Sequence, residues 1–193
     1  MNLDNQYWNN RYVENEFSWD LGEISEPLKH YFDQLNDRTL KILIPGAGNA
    51  HEAEYLFKAG FINVYILDFA EEPIRLFKKR NPLFNTEHLV CENFFEHKGQ
   101  YDLIIEQTFF CAINPILRKA YAEQMNKLLK PNGKLVGLLF NDVLNTEHPP
   151  FGGNKAEYLP YFENLFTSKV FEPCYNSVKP RADRELFINF EKA

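Results

Sequence analysis

The chain has 193 residues, of which 45% are hydrophobic and 16% aromatic, so it can bury the core of one α/β domain and no second domain is expected. Its net charge of −6 excludes a partner bound mainly through a phosphate backbone, so we expect no nucleic-acid partner. The three cysteines form no CxxC pattern, which predicts a reducing cytoplasm and no metal site. The sequence shows no secretory leader and no apolar run long enough for a bilayer, so we expect no membrane contact.

The first 36 residues are predicted to form two helices. Asp4 caps a helix that runs to Asn15, and Ser25 precedes a second helix that ends near Asn36. The aromatic side chains in and after the first helix are Tyr7, Trp8, Tyr12, Phe17 and Trp19. The aromatic content of the chain exceeds what packing alone requires, and it is compatible with an aromatic-lined pocket.

A buried strand is predicted over residues 39–45, and it breaks into Gly46 and Gly48 before a helical pattern begins at Ala50. That helix is predicted to stop at Gly60. Glycine lets a backbone approach a ligand where a Cβ would clash, and open parallel sheets bind ligands beyond the carboxyl ends of their strands. The glycine turn is therefore the candidate nucleotide-binding element.

A second strand, residues 62–67, leads directly to Asp68. Asp68 follows Gly46 by 22 residues, the spacing at which an acid from the second strand accepts hydrogen bonds from ribose hydroxyls. A helix over residues 71–80 follows, with acids at its start and bases at its end to complement the helix dipole. Asp68 is therefore predicted to contact the ribose of a nucleotide-like ligand, with a helix N-cap as its alternative role.

Strands and helices continue to alternate until near the end of the chain. The predicted elements are strands at 86–91, 101–106 and 134–140, a helix at 114–130, a turn at 131–133, a helix at 154–166 and strands at 168–173 and 185–190. Alternation implies parallel strands with helices on both faces, and the last two strands, with no helix between them, form a hairpin. The sequence predicts a mostly parallel seven-stranded sheet with an antiparallel C-terminal edge.

Two kinds of cofactor suit such a frame, a dinucleotide and S-adenosylmethionine. The dinucleotide fingerprint needs a third glycine at the position of His51. A positively charged sulfonium is stabilised by aromatic faces and carboxylates, whereas a pyrophosphate needs basic groups. Trp8, Tyr12, Trp19 and Glu106 therefore favour S-adenosylmethionine, and an NAD-dependent oxidoreductase is the alternative.

Several motifs occur in an order that is far more specific than one glycine turn. They are Trp8-(x3)-Tyr12-(x6)-Trp19-Asp20-Leu21-Gly22, Ile44-Pro45-Gly46-Ala47-Gly48, Thr108-Phe109-Phe110-Cys111-Ala112-Ile113, Leu129-Lys130-Pro131-Asn132-Gly133, Pro149-Pro150-Phe151 and Pro180-Arg181. Together they resemble the thiopurine methyltransferase superfamily, and most closely its plant-type thiol and halide methyltransferase branch. The resemblance covers nearly the whole chain and implies a class I methyltransferase fold of the Rossmann-like type that uses S-adenosylmethionine.

The resemblance implies one methyltransferase domain over residues 1–193, with a helical lid at 1–36 and a Rossmann-like core at 37–193. It implies methyl transfer to a small soft nucleophile, namely a thiol, hydrosulfide, halide or thiopurine sulfur. The implied cofactor-binding residues are Trp8, Tyr12, Trp19, Gly46, Gly48, Asp68, Asn93, Phe94 and Gln107. The implied catalytic residues are Glu106 and Gln107, near the methionine portion or the methyl group of the cofactor. The implied acceptor-binding residues are Phe109, Pro150, Phe151 and Arg181, with a place in the core as the alternative for Phe109.

The sequence departs from the family pattern at three places. Tyr12 stands where the plant branch has Trp, and Ala50 where its turn has a further Gly. Glu106-Gln107 stands where the plant branch has Asp-Tyr and the thiopurine branch has Asp-Arg. Only Gln107 changes the chemical character at a position where acceptor and cofactor should meet. It leaves the acceptor open, and it keeps a non-catalytic cofactor-binding protein as a second alternative. We expect a monomer.

The remaining polar groups of note are interpreted as structural. Surface pairing is predicted for Arg181 and Arg184, with an anionic acceptor as the alternative partner. Cys111 is predicted to be a buried thiol rather than a nucleophile. The histidines predicted to be exposed or to cap helices are His51, His97 and His148.

Overall fold

The computed structural model describes residues 2–193, and Met1, with which the predicted domain begins, lies outside the described residues. The strands are β1 (Ile42–Pro45), β2 (Val64–Asp68), β3 (Leu89–Cys91), β4 (Tyr101–Gln107), β5 (Leu129–Phe140), β6 (Ser168–Pro173) and β7 (Glu185–Glu191). The α-helices are α1 (Asn5–Val13), α2 (Glu26–Asp33), α3 (His51–Lys58), α4 (Glu71–Arg80), α5 (Arg118–Leu128) and α6 (Lys155–Phe162). None of these helices combines the length and apolar character needed to cross a bilayer.

The strands form one sheet in the order β3-β2-β1-β4-β5-β7-β6. The first five strands are parallel, and β7 runs antiparallel to both β5 and β6. The predicted α/β sheet with an antiparallel C-terminal edge is thereby confirmed. From β1 the chain winds outward through β2 and β3 and then returns to β4 on the other side, which leaves a crevice at the carboxyl ends of β1 and β4.

Helices cover both faces because the central strands are apolar on both sides. In β1, Ile42 and Ile44 pack into a core cluster that includes side chains of α2, α3 and α4. Leu43 points to the opposite face, into a cluster that includes side chains of α5 and α6. The strands are thus held rigidly from both sides, and their carboxyl ends form a fixed platform.

Residues 131–133, predicted to be a turn before the fifth strand, form a bulge inside β5. Tyr101 pairs with Leu129 while Leu103 pairs with Lys134, so the residues between Leu129 and Lys134 have no partner on β4. Asn132 in this bulge has a left-handed backbone with φ of +61°. The predicted interruption is present at these residues, but strand pairing with β4 continues on both sides of it.

The helix α2, predicted to belong to the lid, is part of the core. Leu28 and Phe32 are buried in the same cluster as β1 and α3. The segment that covers the carboxyl edge of the sheet therefore ends before α2, short of the predicted boundary at residue 36. In the third predicted strand, Thr86–His88 form a 3-10 turn and only Leu89–Cys91 pair with β2.

Candidate functional site

A cavity of about 460 Å³ lies at the carboxyl edge of the sheet, a volume typical of small-molecule sites. Its walls come from the turn after β1, the ends of β2, β3 and β4, and the N-terminal segment. The predicted site residues that line it are Trp8, Tyr12, Trp19, Gly46, Gly48, Asp68, Asn93, Phe94, Gln107, Phe109 and Arg181. The structure therefore brings together most of the residues selected from the sequence.

The glycine turn is tight because two aromatic side chains press against it. Gly46 and Gly48 have left-handed backbones with φ of +58° and +51°. A Cβ on Gly46 would lie 2.2 Å from Cδ2 of Phe109, and a Cβ on Gly48 would lie 2.4 Å from the hydroxyl oxygen of Tyr12. Both glycines are therefore required by backbone conformation and by these close approaches.

Asp68 joins the glycine turn to the end of β2. Its Oδ2 accepts a hydrogen bond from the Gly48 N–H at 3.0 Å, and its Oδ1 accepts one from the Ala70 N–H at 2.9 Å. Burial raises the pKa of the carboxyl group, although these backbone donors oppose the shift. A carboxylate has about four acceptor positions, and the backbone donors Gly48, Ala70 and Phe69 do not use all of them, so the group can still accept a hydrogen bond from a ligand hydroxyl. This arrangement fits a ribose diol.

Replacing Asp68 by alanine is expected to weaken binding of S-adenosylhomocysteine, the demethylated form of the implied cofactor, by about 1 to 3 kcal/mol, because the ribose would lose its acceptors. Isothermal titration calorimetry measures the change. Asp33→Ala, which removes an acid of α2 outside the cavity lining, should bind like the wild type. Equal affinities for the Asp68 variant and the wild type would refute the ribose contact.

The N-terminal segment covers the cavity with aromatic rings. The Trp19 ring lies 5.6 Å from that of Trp8 and 6.1 Å from that of Tyr12, both edge to face. Tyr12 is only 6% exposed, and burial together with the Asp68 carboxylate raises the pKa of its hydroxyl far above the ordinary value. The hydroxyl therefore stays neutral, and the three rings line the cavity, where aromatic groups attract a positive charge.

A polar cluster around Asp20 fastens this aromatic cover to α3. The Asp20 carboxylate bonds to Nε2 of His51 at 2.8 Å, to the Asn49 amide and to the Gly22 N–H. Burial disfavours the charge of Asp20, but these hydrogen bonds outweigh it and lower the pKa to about 2. The same contact raises the pKa of His51. The prediction that His51 is an exposed or capping residue is therefore wrong.

Arg181 is buried, so its predicted surface pairing is wrong. The residue is 6% exposed, and its guanidinium donates to the Trp19 carbonyl at 2.7 Å and to Oε1 of Glu185 at 3.4 Å. Arg181 thus ties the backbone of the aromatic cover to the start of β7. Arg184 pairs with Asp142 at the surface, as predicted.

The two residues at the end of β4 face opposite sides of the sheet. Gln107 lines the cavity, and Ser25 donates a hydrogen bond to its Oε1 at 3.5 Å. Glu106 is fully buried on the other side, where it accepts hydrogen bonds from Tyr121 and from the N–H groups of Phe109 and Phe110. Glu106 was predicted to lie near the methionine portion or the methyl group, but it does not line the cavity, because successive strand residues alternate between faces.

Pro150 and Phe151, predicted to bind the acceptor, lie outside the cavity lining among the described residues. Phe151 is buried, and its N–H donates to the carbonyl of Cys111 at 2.7 Å. The segment therefore supports the loop after β4 from behind.

Cys111 is a buried thiol, as predicted, and burial raises its pKa to about 12. His97 is also buried, bonded to Glu92 and to the Tyr101 hydroxyl, contrary to its predicted exposure.

Sequence reasoning missed Glu52 and Thr108, which line the cavity. Glu52 lies in the first turn of α3, where an acid is normally read as complementing the helix dipole. Thr108 has a left-handed backbone with φ of +59°, which is rare for a β-branched residue. The strained Thr108 turns the chain so that Phe109 folds back onto the glycine turn. No sequence pattern signals such a conformation.

The charge of the lining fits a sulfonium compound better than a pyrophosphate. Among the described residues, the lining contains five carboxylates, those of Asp20, Glu23, Glu52, Asp68 and Glu92. Arg181 is the one arginine among them, no lysine is present, and the hydrogen bonds of Arg181 go to protein acceptors. Acids, ring faces and a glycine cradle are the groups that suit S-adenosylmethionine.

Comparisons with known proteins agree with the geometry. The sequence model of the Thiopurine S-methyltransferase (TPMT) family matches residues 3–189. Probable thiol methyltransferase 2 of Arabidopsis thaliana is 30% identical over 156 residues, which are 78% of this chain and 69% of that protein. Thiopurine S-methyltransferase of Pseudomonas fluorescens (strain SBW25) is 24% identical over 193 residues, 88% of this chain and 87% of that protein. The chain spans about two thirds of the length of the plant relatives that it matches.

The fold also matches a solved structure. The Burkholderia thailandensis 1,6-didemethyltoxoflavin-N1-methyltransferase, with bound 1,6-didemethyltoxoflavin and S-adenosylhomocysteine, superposes with a TM-score of 0.77. The two sequences are 15% identical, and the match covers 99% of this chain and 88% of that one. At this identity the likeness shows the fold alone, and it confirms the predicted class I arrangement of strands.

Proposed function

Because the chain belongs to the thiopurine S-methyltransferase family and uses S-adenosylmethionine as its cofactor, we propose that it transfers the cofactor's methyl group to a small soft nucleophile. The acceptor class is a thiol, hydrosulfide, halide or thiopurine sulfur. When bound, the cofactor supplies an activated methyl group on a sulfonium. The dinucleotide alternative is set aside, because the family uses S-adenosylmethionine and the lining is poor in groups for a pyrophosphate.

One observation carries the choice of a soft acceptor: the end of β4 presents no titratable side chain to the cavity. Gln107, which faces the cavity there, is an amide that does not titrate, and Glu106 points away. His51 is the one imidazole among the described lining residues, and it is bonded to Asp20. A thiol has an ordinary pKa of about 8.5, so a thiolate forms without a strong base.

The roles that we propose for the chain's own residues are positioning and exclusion of water. Asp68 would hold the ribose, and Gly46 and Gly48 would contact the cofactor through their backbone. Asn93 and Phe94 would hold the adenine. The aromatic cover of Trp8, Tyr12 and Trp19 would close over the methyl group and Gln107 would orient it, with Phe109 and Arg181 at the acceptor end. Alignment of an intrinsically reactive pair and exclusion of water account for the rate.

The names of the relatives support a sulfur acceptor. They are called thiol, thiocyanate and thiopurine methyltransferases, and each of these acceptors contains sulfur. These names belong to those proteins, and they differ in the size and charge of the acceptor. For this chain the names favour a sulfur-containing acceptor, but they do not select one compound.

The proposal is tested by incubating the protein with methyl-labelled S-adenosylmethionine and a panel of thiols, hydrosulfide, iodide, thiocyanate and thiopurines. We expect labelled volatile or soluble product from at least one of these acceptors. Asp68→Ala at a cofactor concentration below saturation should slow every productive acceptor by the same factor. Tight cofactor binding without transfer to any acceptor would contradict the proposal and favour a non-catalytic cofactor-binding protein.

A further inference from the structure

Glu52 differs from the other acids of the cavity because it is buried and lacks a partner. Its residue is 6% exposed, and its carboxylate accepts no hydrogen bond from any other residue in the part of the chain that the structure describes. Asp20 and Asp68 accept hydrogen bonds from neighbouring groups, and Glu92 bonds to His97. The remaining acid, Glu23, is exposed to water.

A buried carboxylate without a directly bonded counter-ion is energetically costly, and burial raises the pKa of Glu52, although its own N–H and the charges of His51 and Arg181 oppose the shift. Two cationic side chains line the same cavity, but neither is directed at Glu52. Arg181 donates to the Trp19 carbonyl and to Glu185, and His51 is bonded to Asp20. The carboxylate of Glu52 is therefore left to pair with a positively charged group of a ligand that enters the cavity.

We propose that Glu52 binds an ammonium group carried into the cavity by a ligand. This inference rests on the proposed function, which offers two sources of such a group: the α-ammonium of the cofactor's methionine, and an amine on a thiol acceptor. Glu52 lies in the first turn of α3, which begins where the glycine turn ends. Because Asp68 is bonded to Gly48, a ribose held by Asp68 lies against that same turn, within reach of a short charged tail.

The first experiment compares two nucleosides that differ in the ammonium group. S-adenosylhomocysteine carries it, whereas 5′-methylthioadenosine has the nucleoside and the thioether without it. If the cofactor is the source, Glu52→Gln binds S-adenosylhomocysteine about 10- to 100-fold more weakly than the wild type by calorimetry, and 5′-methylthioadenosine equally well. Glu147→Gln, the same change at an exposed residue outside the cavity lining, should alter neither affinity.

The second experiment compares acceptors at saturating cofactor. If Glu52→Gln leaves S-adenosylhomocysteine binding unchanged, the acceptor is the source, and kcat/KM should fall about 10- to 100-fold for cysteamine but not for 2-mercaptoethanol. Unchanged values for both nucleosides and both thiols would overturn the proposal. An equal loss of kcat for both thiols with unchanged binding would also overturn it, because Glu52 would then act on the thiol proton.

Failure of the proposed function has a different signature from failure of this inference. A wild-type protein that binds S-adenosylhomocysteine but methylates nothing lacks the proposed activity, while the nucleoside comparison still tests Glu52. Removing an unpaired buried charge should not lower the melting temperature. If Glu52→Gln fails to fold, Glu52→Asp takes its place, because aspartate keeps the carboxylate on a shorter side chain. This variant should bind 5′-methylthioadenosine like the wild type. It should bind S-adenosylhomocysteine more weakly, because its carboxylate does not reach as far.

Discussion

Glu106→Ala is expected to lower the free energy of unfolding by about 3 to 5 kcal/mol, because it leaves two buried donors and one partly buried donor without an acceptor. These donors are the N–H groups of Phe109 and Phe110 and the hydroxyl of Tyr121, which is fully buried. The truncation also opens a cavity behind the loop that carries Phe109. Urea unfolding followed by circular dichroism measures the change.

The matched control is Glu106→Gln, which keeps the shape of the side chain and one acceptor oxygen. It is expected to cost less than about 1.5 kcal/mol at acidic pH, where the wild-type carboxyl group is itself neutral. An alanine variant within 1 kcal/mol of the glutamine variant, roughly the worth of one hydrogen bond, would show that these hydrogen bonds do not hold the loop.

Glu106 also makes a pH-dependent contribution to stability. Burial outweighs the hydrogen bonds from Tyr121, Phe110 and Phe109 and raises its pKa from 4.5 to about 7. A carboxyl group that binds its proton more tightly when folded contributes stability that is present below about 4.5 and is lost as the pH rises through about 7. Relative to Glu106→Gln, the wild type should therefore lose about 3 kcal/mol between pH 4.5 and pH 8. A constant difference across this range would contradict the assignment.

The second large effect is expected for Gly46→Ala, with a loss of about 2 to 5 kcal/mol in unfolding free energy. A left-handed backbone costs an alanine roughly 1 to 2 kcal/mol, and a new Cβ 2.2 Å from Phe109 forces that ring to move at a further cost of about 1 to 3 kcal/mol. Because Phe109 lines the cavity, affinity for S-adenosylhomocysteine should fall as well. Urea unfolding and calorimetry measure the two effects.

Gly60→Ala separates the two causes of this loss. Gly60 also has a left-handed backbone, with φ of +88°, but no atom lies within 4 Å of the position that its Cβ would take. Its substitution should cost about 1 to 2 kcal/mol and leave cofactor affinity unchanged. Equal losses at Gly46 and Gly60 would mean that the close approach of Phe109 does not constrain the turn.

The sequence predicted the sheet well because its strongest signals are local. Apolar runs with glycine and proline breaks gave all seven strands, and the missing helix between the last two gave the antiparallel edge. The position of Asp68 after β2 and of the glycines after β1 follows directly from this frame. The N-terminal rings came from the motif resemblance, since periodicity alone does not place them over the cavity.

What the sequence could not predict depends on which way a side chain points at an element's end. Glu106 and Gln107 are adjacent and face opposite sides of the sheet, so only Gln107 lines the cavity. The sequence predicted that both residues would contact the ligand. Arg181 was predicted to lie at the surface because Trp19, one of its two partners, is distant in the chain. Its other partner, Glu185, is close in the chain. Long-range pairing of this kind leaves no trace in composition or spacing.

The most direct test of the cofactor site uses the chain's own chromophores. Trp8 and Trp19 are its only tryptophans, and both line the cavity. Titration with S-adenosylhomocysteine should therefore change tryptophan emission saturably, and the midpoint should shift to higher concentration in Asp68→Ala. Emission that stays unchanged at concentrations where calorimetry shows saturation would place the cofactor elsewhere and contradict the account.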